Sequence, residues 1–178
     1  MEWRDINTLT FNENITRTLN DIHKKESELD LNNIPPIIID MNGKIVKQLT
    51  NSPYYDAEAT ISPDGKKMIY TSTKDGDIEL YIMDLKSGKE KRITNTLGYD
   101  GGAWFSPNGK KIIWRASRPK TKDEIKEYKD LLTEALVAPT NMEVFTANVD
   151  GSNVKQITSF GNANWAPCYM PDSKRIMF

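Results

Sequence analysis

The apolar positions of this chain fall into short runs and not, for most of its length, into helical stripes. "KKMIYTS" places Met68, Ile69 and Tyr70 side by side, and "KKIIWRAS" does the same with Ile112, Ile113 and Trp114. Continuous apolar runs of this length predict strands covered on both faces. Three further runs flank each of them. "AEATIS", "IELYIMD" and "KEKRIT" surround the first, and "GAWFS", "MEVFTANV" and "NVKQIT" surround the second. The polar stretches between them carry hairpin chemistry. Ser62-Pro63-Asp64-Gly65 fits a type I turn, with proline at the second position and glycine at the fourth. "KDGD" at residues 74–77, "LKSG" and "VDGS" punctuate the other links. Each set therefore predicts four strands joined by tight turns.

The sets are copies. "ISPDGKKMIY" at residues 61–70 returns as "FSPNGKKIIW" at 105–114 and, decayed, as "YMPDSKRIMF" at 169–178. The hairpin prolines Pro63, Pro107 and Pro171 and the strand-ending threonines Thr50, Thr94 and Thr158 step together, by 44 residues and then by 64. The period is 44, and the second full unit carries 20 extra residues. A four-stranded unit of about 40–45 residues is a β-propeller blade, which covers its two faces only by stacking on its neighbours. The predicted fold class is all-β, a partial propeller of four-stranded antiparallel blades. The back half of one blade is expected at residues 36–50, full blades at 51–94 and 95–158, and the front half of another at 159–178.

Two segments depart from this pattern. In residues 1–35, Ile15, Leu19, Ile22 and Leu29 lie on a helical stripe, and Pro35-Pro36 ends it, which predicts a helix over 13–29. The 20 extra residues form an insertion at about 119–140. There Thr121 and Glu124 stand in capping-box positions, and Ile125, Tyr128, Leu132 and Leu136 make one apolar face. That face is expected to lie against the blades.

Composition narrows the function. Lys+Arg 24 against Asp+Glu 25 gives a net charge of -1, without long runs of either sign, which argues against nucleic-acid binding. No stretch is apolar enough to span a membrane, and the first twenty residues lack the apolar centre of a secretory signal. The single cysteine, Cys168, excludes an internal disulfide and is expected to be a small buried hydrophobe in a first strand. His23 is the only histidine, and no G-x-S-x-G, H-E-x-x-H or phosphate-binding glycine loop occurs. No catalytic residue, cofactor site or metal site is predicted with these means.

Three constellations remain. Asp56, Asp100 and Asn164 are in phase with the repeat and precede each first strand. They read either as a ring of oxygens for a cation such as calcium or, more economically, as caps on their own blades' turns. Arg115 and Arg118 stand where the preceding blade has Thr71 and Lys74, at the entry to the insertion. They read as partners of acidic residues on the inserted helix, such as Glu124 or Glu127, or as readers of a carboxylate on a partner. Tyr54, Tyr55, Tyr99, Trp104, Phe160 and Trp165 cluster around the inter-blade loops, where most are expected in the core and Tyr55 and Tyr99 could contribute to a contact patch.

"SPDGKK", "SPNGKK", "GYDGGAWFSPNGKKIIWRASRPK" and "DGSNVKQIT" resemble the TolB-like (WD40-like) β-propeller repeats of bacterial envelope proteins, over residues 36–178. The insertion after "RASRPK" resembles a subgroup with a helix inserted in one blade. The resemblance implies a non-catalytic protein- or peptide-binding scaffold, periplasmic or secreted, while the lack of a signal in these residues leaves the cytoplasm as the alternative. The alternative it implies is the accessory propeller of a peptidase or other hydrolase whose catalytic part is elsewhere. Six blades are usual in such proteins. The half blades at 36–50 and 162–178 are then expected to be completed in a homodimer that closes a six-bladed ring, or by the remainder of a longer chain.

Overall fold

The computed structural model describes residues 35–138 and 140–178. The helix expected at 13–29, with His23, lies outside the described residues. Two compact units divide between Pro53 and Tyr54. The first contributes one antiparallel hairpin, β1 (Ile37–Ile39) with β2 (Ile45–Gln48). Asp40 closes its turn by accepting from the amides of Asn42 and Lys44.

The second unit holds two complete blades. β3 (Asp56–Ile61), β4 (Lys67–Ser72), β5 (Glu79–Asp84) and β6 (Glu90–Arg92) form one four-stranded antiparallel sheet in sequential order. β7 (Asp100–Phe105), β8 (Lys111–Ser117), β9 (Met142–Asn148) and β10 (Lys155–Gln156) form the next. β11 (Cys168–Tyr169) and β12 (Ile176–Met177) pair alone as the front of a further blade. Met68, Ile69, Tyr70, Ile112, Ile113 and Trp114 are all fully buried, so the continuous apolar runs do mark strands covered on both faces. Between the complete blades Ile69, Leu80, Ile82, Phe105, Trp114 and Phe145 pack into one core, with Trp114 and Phe145 stacked at 5.9 Å. First strands lie next to each other, tied by the Thr60 hydroxyl donating to the Ala103 carbonyl at 2.7 Å.

The threonine series has a physical cause. The Thr94 hydroxyl accepts from the Leu80 amide at 2.9 Å, and the Thr158 hydroxyl accepts from the Val144 amide at 2.8 Å. Each thus ties the end of a blade's last strand to the start of its third, and Thr158 also donates to Glu143. The repeated turn is equally specific. Ser62 Oγ donates to Asp64 at 2.7 Å and accepts from the Lys67 amide, and Ser106 does the same with Asn108 and Lys111. Gly65 closes the first turn at φ +70° with open space where a side chain would start. Gly65→Val is therefore expected to lose only the strain of a β-branched residue at positive φ, about 1–3 kcal/mol, read as a lower thermal midpoint.

The insertion becomes α1 (Lys122–Thr133), with the full capping box between Thr121 and Glu124. It springs from the second complete blade and docks at its junction with the first. Tyr128 is buried among Ile78, Tyr99 and Met142, with Leu132 and Val137 against them. Its hydroxyl donates to Asp77 Oδ1 at 2.5 Å, and Asp77 also accepts from the Gly98 and Ile78 amides. The apolar face is shorter than its sequence pattern. Helical structure stops at Thr133, Glu134 caps it, and Leu136 is therefore out of phase and exposed. Tyr128→Phe removes a hydrogen bond to a charged group and is expected to cost about 1.5–3 kcal/mol, measurable by denaturant unfolding.

Candidate recognition site at the strand-start end

The first strand of each blade carries a local irregularity. Pairing of β3 with β4 shifts between Ala57 and Thr60, and pairing of β7 with β8 shifts between Gly101 and Trp104. Within these bulges Glu58 has φ 53° and Gly102 φ 62°, and Ala166 has φ 49° at the equivalent place before β11. A bulge of this kind re-aims the side chains around it. In the first blade it turns Glu58 toward the second.

Glu58 is the centre of the resulting cluster. Its Oε2 accepts from the Tyr99 hydroxyl at 2.6 Å and from the Gly102 amide at 2.9 Å. Its Oε1 accepts from Arg115 Nη2 at 2.5 Å, and the same nitrogen donates to the Tyr99 hydroxyl at 2.7 Å. The Arg115 guanidinium lies over the Trp165 ring at 4.5 Å and the Tyr99 ring at 5.3 Å. One arginine on β8 thus joins the first strand of the preceding blade to the loop that leads into the following one. Gly101 and Gly102 make the room. A Cβ on Gly101 would stand 2.2 Å from the Tyr99 hydroxyl, and one on Gly102 would stand 2.1 Å from Arg115 Nη1. Burial, with the adjacent Glu58 carboxylate and its hydrogen bond, pushes the Tyr99 hydroxyl well above the usual phenol range. Burial and Glu58 also raise Tyr55, against the pull of Arg115.

Arg118 belongs to a second, deeper pair. Its Nη2 donates to Asp100 Oδ1 at 2.7 Å, and Trp114 Nε1 donates to the same oxygen at 2.5 Å. Burial pushes the Asp100 carboxyl up to about 7, against the opposing pull of Arg118 and Trp114. The first blade solves the equivalent problem differently. There Tyr70 replaces Trp114 and donates to Glu90 at 2.5 Å, and Lys74, in place of Arg118, bonds Glu90 and the Tyr70 hydroxyl. The second blade has Val154 where the first has Glu90, so its cation turns inward to the aspartate.

The residues singled out by the sequence therefore divide. Arg115 and Tyr99 meet in one cluster, with Tyr55 close enough to feel both charges. Neither arginine pairs with the inserted helix; their partners are Glu58 and Asp100. Both carboxylates stand on first strands, Glu58 on β3 and Asp100 on β7. Glu58 went unnoticed in the sequence, although it occupies the phase position where the other blades have Gly102 and Ala166. Asp100 is fully buried, and Asn164 Nδ2 donates to the Met142 carbonyl at 2.8 Å. Among the described residues no group of three His, Cys, Asp or Glu side chains could hold a metal ion. Millimolar calcium is accordingly expected to leave the thermal midpoint unchanged. Of the six aromatics only Tyr99 is buried, while Tyr54, Tyr55, Trp104, Phe160 and Trp165 are exposed. Cys168 is half-buried, not the fully buried hydrophobe expected.

Radially stacked four-stranded antiparallel blades, with bulged first strands carrying the loop-end residues, define this as a β-propeller protein. A TolB β-propeller domain model matches residues 27–135, and the chain belongs to that family. No curated protein matches it significantly. TolB from Acinetobacter baumannii is similar at 25% identity and TM-score 0.62, over 79% of this chain and 30% of that one. A protein assigned as TolB from Agrobacterium tumefaciens shares the fold at 21% identity and TM-score 0.54, over 74% of this chain and 44% of that one. The chain thus spans less than half the length of either. Among the described residues no helix is long and apolar enough to cross a membrane.

Proposed function

We propose that this chain is part of a non-catalytic TolB-like propeller that binds a protein or peptide partner at the strand-start end of its blades. The observation that supports the reading is the Arg115 cluster. A guanidinium held by Glu58 and stacked on the half-exposed Trp165, with exposed Tyr55 beside it, is a rigid arginine and aromatic anchor of the kind that dominates protein interfaces. Because Glu58 already neutralises Arg115, the site suits a peptide backbone or an apolar side chain seated on the rings better than a lone carboxylate. By likeness to the family we assign the protein to the periplasm or the secreted fraction.

Selection from a displayed peptide library tests this. Peptides that bind the wild-type chain are expected to lose about tenfold or more in affinity to Trp165→Ala and Arg115→Gln, and to keep it in Lys126→Ala on the far side of α1. Peptides indifferent to both site variants would refute the reading. No labelling by an active-site serine hydrolase probe is expected.

A further inference from the structure

The net charge of -1 conceals a separation of charge along the strands. Every first-to-second-strand hairpin of the repeat turns at the end opposite the Arg115 cluster, and each carries two adjacent cations: Lys66 and Lys67, Lys110 and Lys111, Lys174 and Arg175. The link between the third and fourth strands of the first blade emerges at the same end and adds Lys86 and Lys89. These loops are continuous. The Leu85 amide donates to the Lys66 carbonyl at 2.9 Å, the Val149 amide to the Lys110 carbonyl at 3.2 Å, and the Asn108 amide to Ser173 Oγ at 3.1 Å. The first and second hairpins flank a groove of about 340 Å³.

The cations of this end outnumber its turn aspartates by eight to four. All eight are exposed, and only Arg175 has an ion-pair partner, Asp172, among the described residues. Asp64, Asp84, Asp150 and Asp172 each accept hydrogen bonds from their own turn, through Lys66, Ser87, Ser152 and Lys174 amides respectively. The arginines of the opposite end behave in the reverse way, since Arg92, Arg115 and Arg118 are each committed to a carboxylate.

We propose that the hairpin end of the blades is a docking surface for an anionic phospholipid membrane. Three features choose this occupant. Seven of the eight cations are lysines, hydrated point charges on flexible stems, where a specific anion reader would use the arginine fork. They are spread over successive blades and not gathered in the groove, as suits a broad field of headgroups. Apart from Arg175 they have no ion pair among the described residues, so their approach to a negative surface breaks no existing pair. Each lysine near such a surface contributes a small, additive and salt-sensitive attraction. This inference is independent of the partner proposed above, which binds at the other end.

Sedimentation of the 178-residue chain with vesicles tests it. Binding is expected to vesicles of phosphatidylcholine with about 30% phosphatidylglycerol, absent with phosphatidylcholine alone, and lost in about 0.5 M salt. Lys110→Glu with Lys111→Glu is expected to weaken it about tenfold or more, while Lys126→Glu with Lys129→Glu on α1 leaves it unchanged. An unaltered thermal midpoint shows that the hairpin variant is folded. Equal binding to both vesicle types, no binding, or indifference to the hairpin variant would overturn the proposal. Capture by poly-L-glutamate without vesicle binding would overturn it in favour of an acidic protein partner.

Discussion

Asp100→Ala is expected to be among the most damaging single substitutions in the second blade, at about 3–4 kcal/mol. The carboxylate is fully buried and receives both Trp114 Nε1 and Arg118 Nη2. Alanine would leave the buried indole N–H and the Arg118 guanidinium without their acceptor. Asp100→Asn keeps an acceptor and the volume, and is expected to cost about 1 kcal/mol. The two variants also separate packing from charge through pH. The folded-state pKa of Asp100 is raised by burial to about 7, above its ordinary carboxylate value. The folded protein therefore binds more protons than the unfolded chain between those values. Stability is greatest below the unfolded pKa and falls as pH rises through about 7. Burial shifts Glu79 in the same direction. Wild type is expected to lose about 2–3 kcal/mol between about pH 5 and about pH 8, and Asp100→Asn to lose much less. A wild-type stability that instead rises over this range would show that Arg118 and Trp114 outweigh desolvation.

The sequence was explicit where one blade must repeat another. Apolar runs, turn residues and the threonine series all follow from constraints that every blade meets alone, so three copies state them three times. The inserted helix was legible through its capping box, because that signal is also local. What the sequence hid is what differs between blades. Glu58 looks like an ordinary polar residue of a first strand until its positive φ and its reach to Gly102 are seen. The partners of Arg115 and Arg118 depend on which neighbour offers a carboxylate at the right depth, and the exchange of Glu90 for Val154 decides this only in three dimensions. Exposure of the aromatics was misjudged for a related reason. Tyr54, Tyr55, Phe160 and Trp165 precede or begin first strands, where side chains leave the inter-blade core for the loop surface.

The glycine pair offers the sharpest test of the site, because the repeat supplies its own control. Glu58, Gly102 and Ala166 occupy one position in three successive blades, and all three have positive φ. Two of them carry side chains, so this backbone conformation does not by itself require glycine. What sets position 102 apart is Arg115, whose Nη1 would lie 2.1 Å from a new Cβ. The equivalent second-strand residue of the first blade is the smaller Thr71, which leaves room for Glu58. Gly102→Ala is therefore expected to cost about 2–3 kcal/mol in the wild-type background, by expelling the guanidinium from its place against Glu58, Tyr99 and Trp165. After Arg115→Ala the same substitution is expected to cost about 1 kcal/mol or less, the residual strain of alanine at positive φ. The coupling between the two sites in a double-mutant cycle should thus be about 1–2 kcal/mol. Additive losses would mean that glycine serves the backbone alone and that Arg115 is not held in the bulge. A strong coupling, accompanied by loss of peptide binding in Gly102→Ala, would tie the one irregular feature of the first strands to recognition.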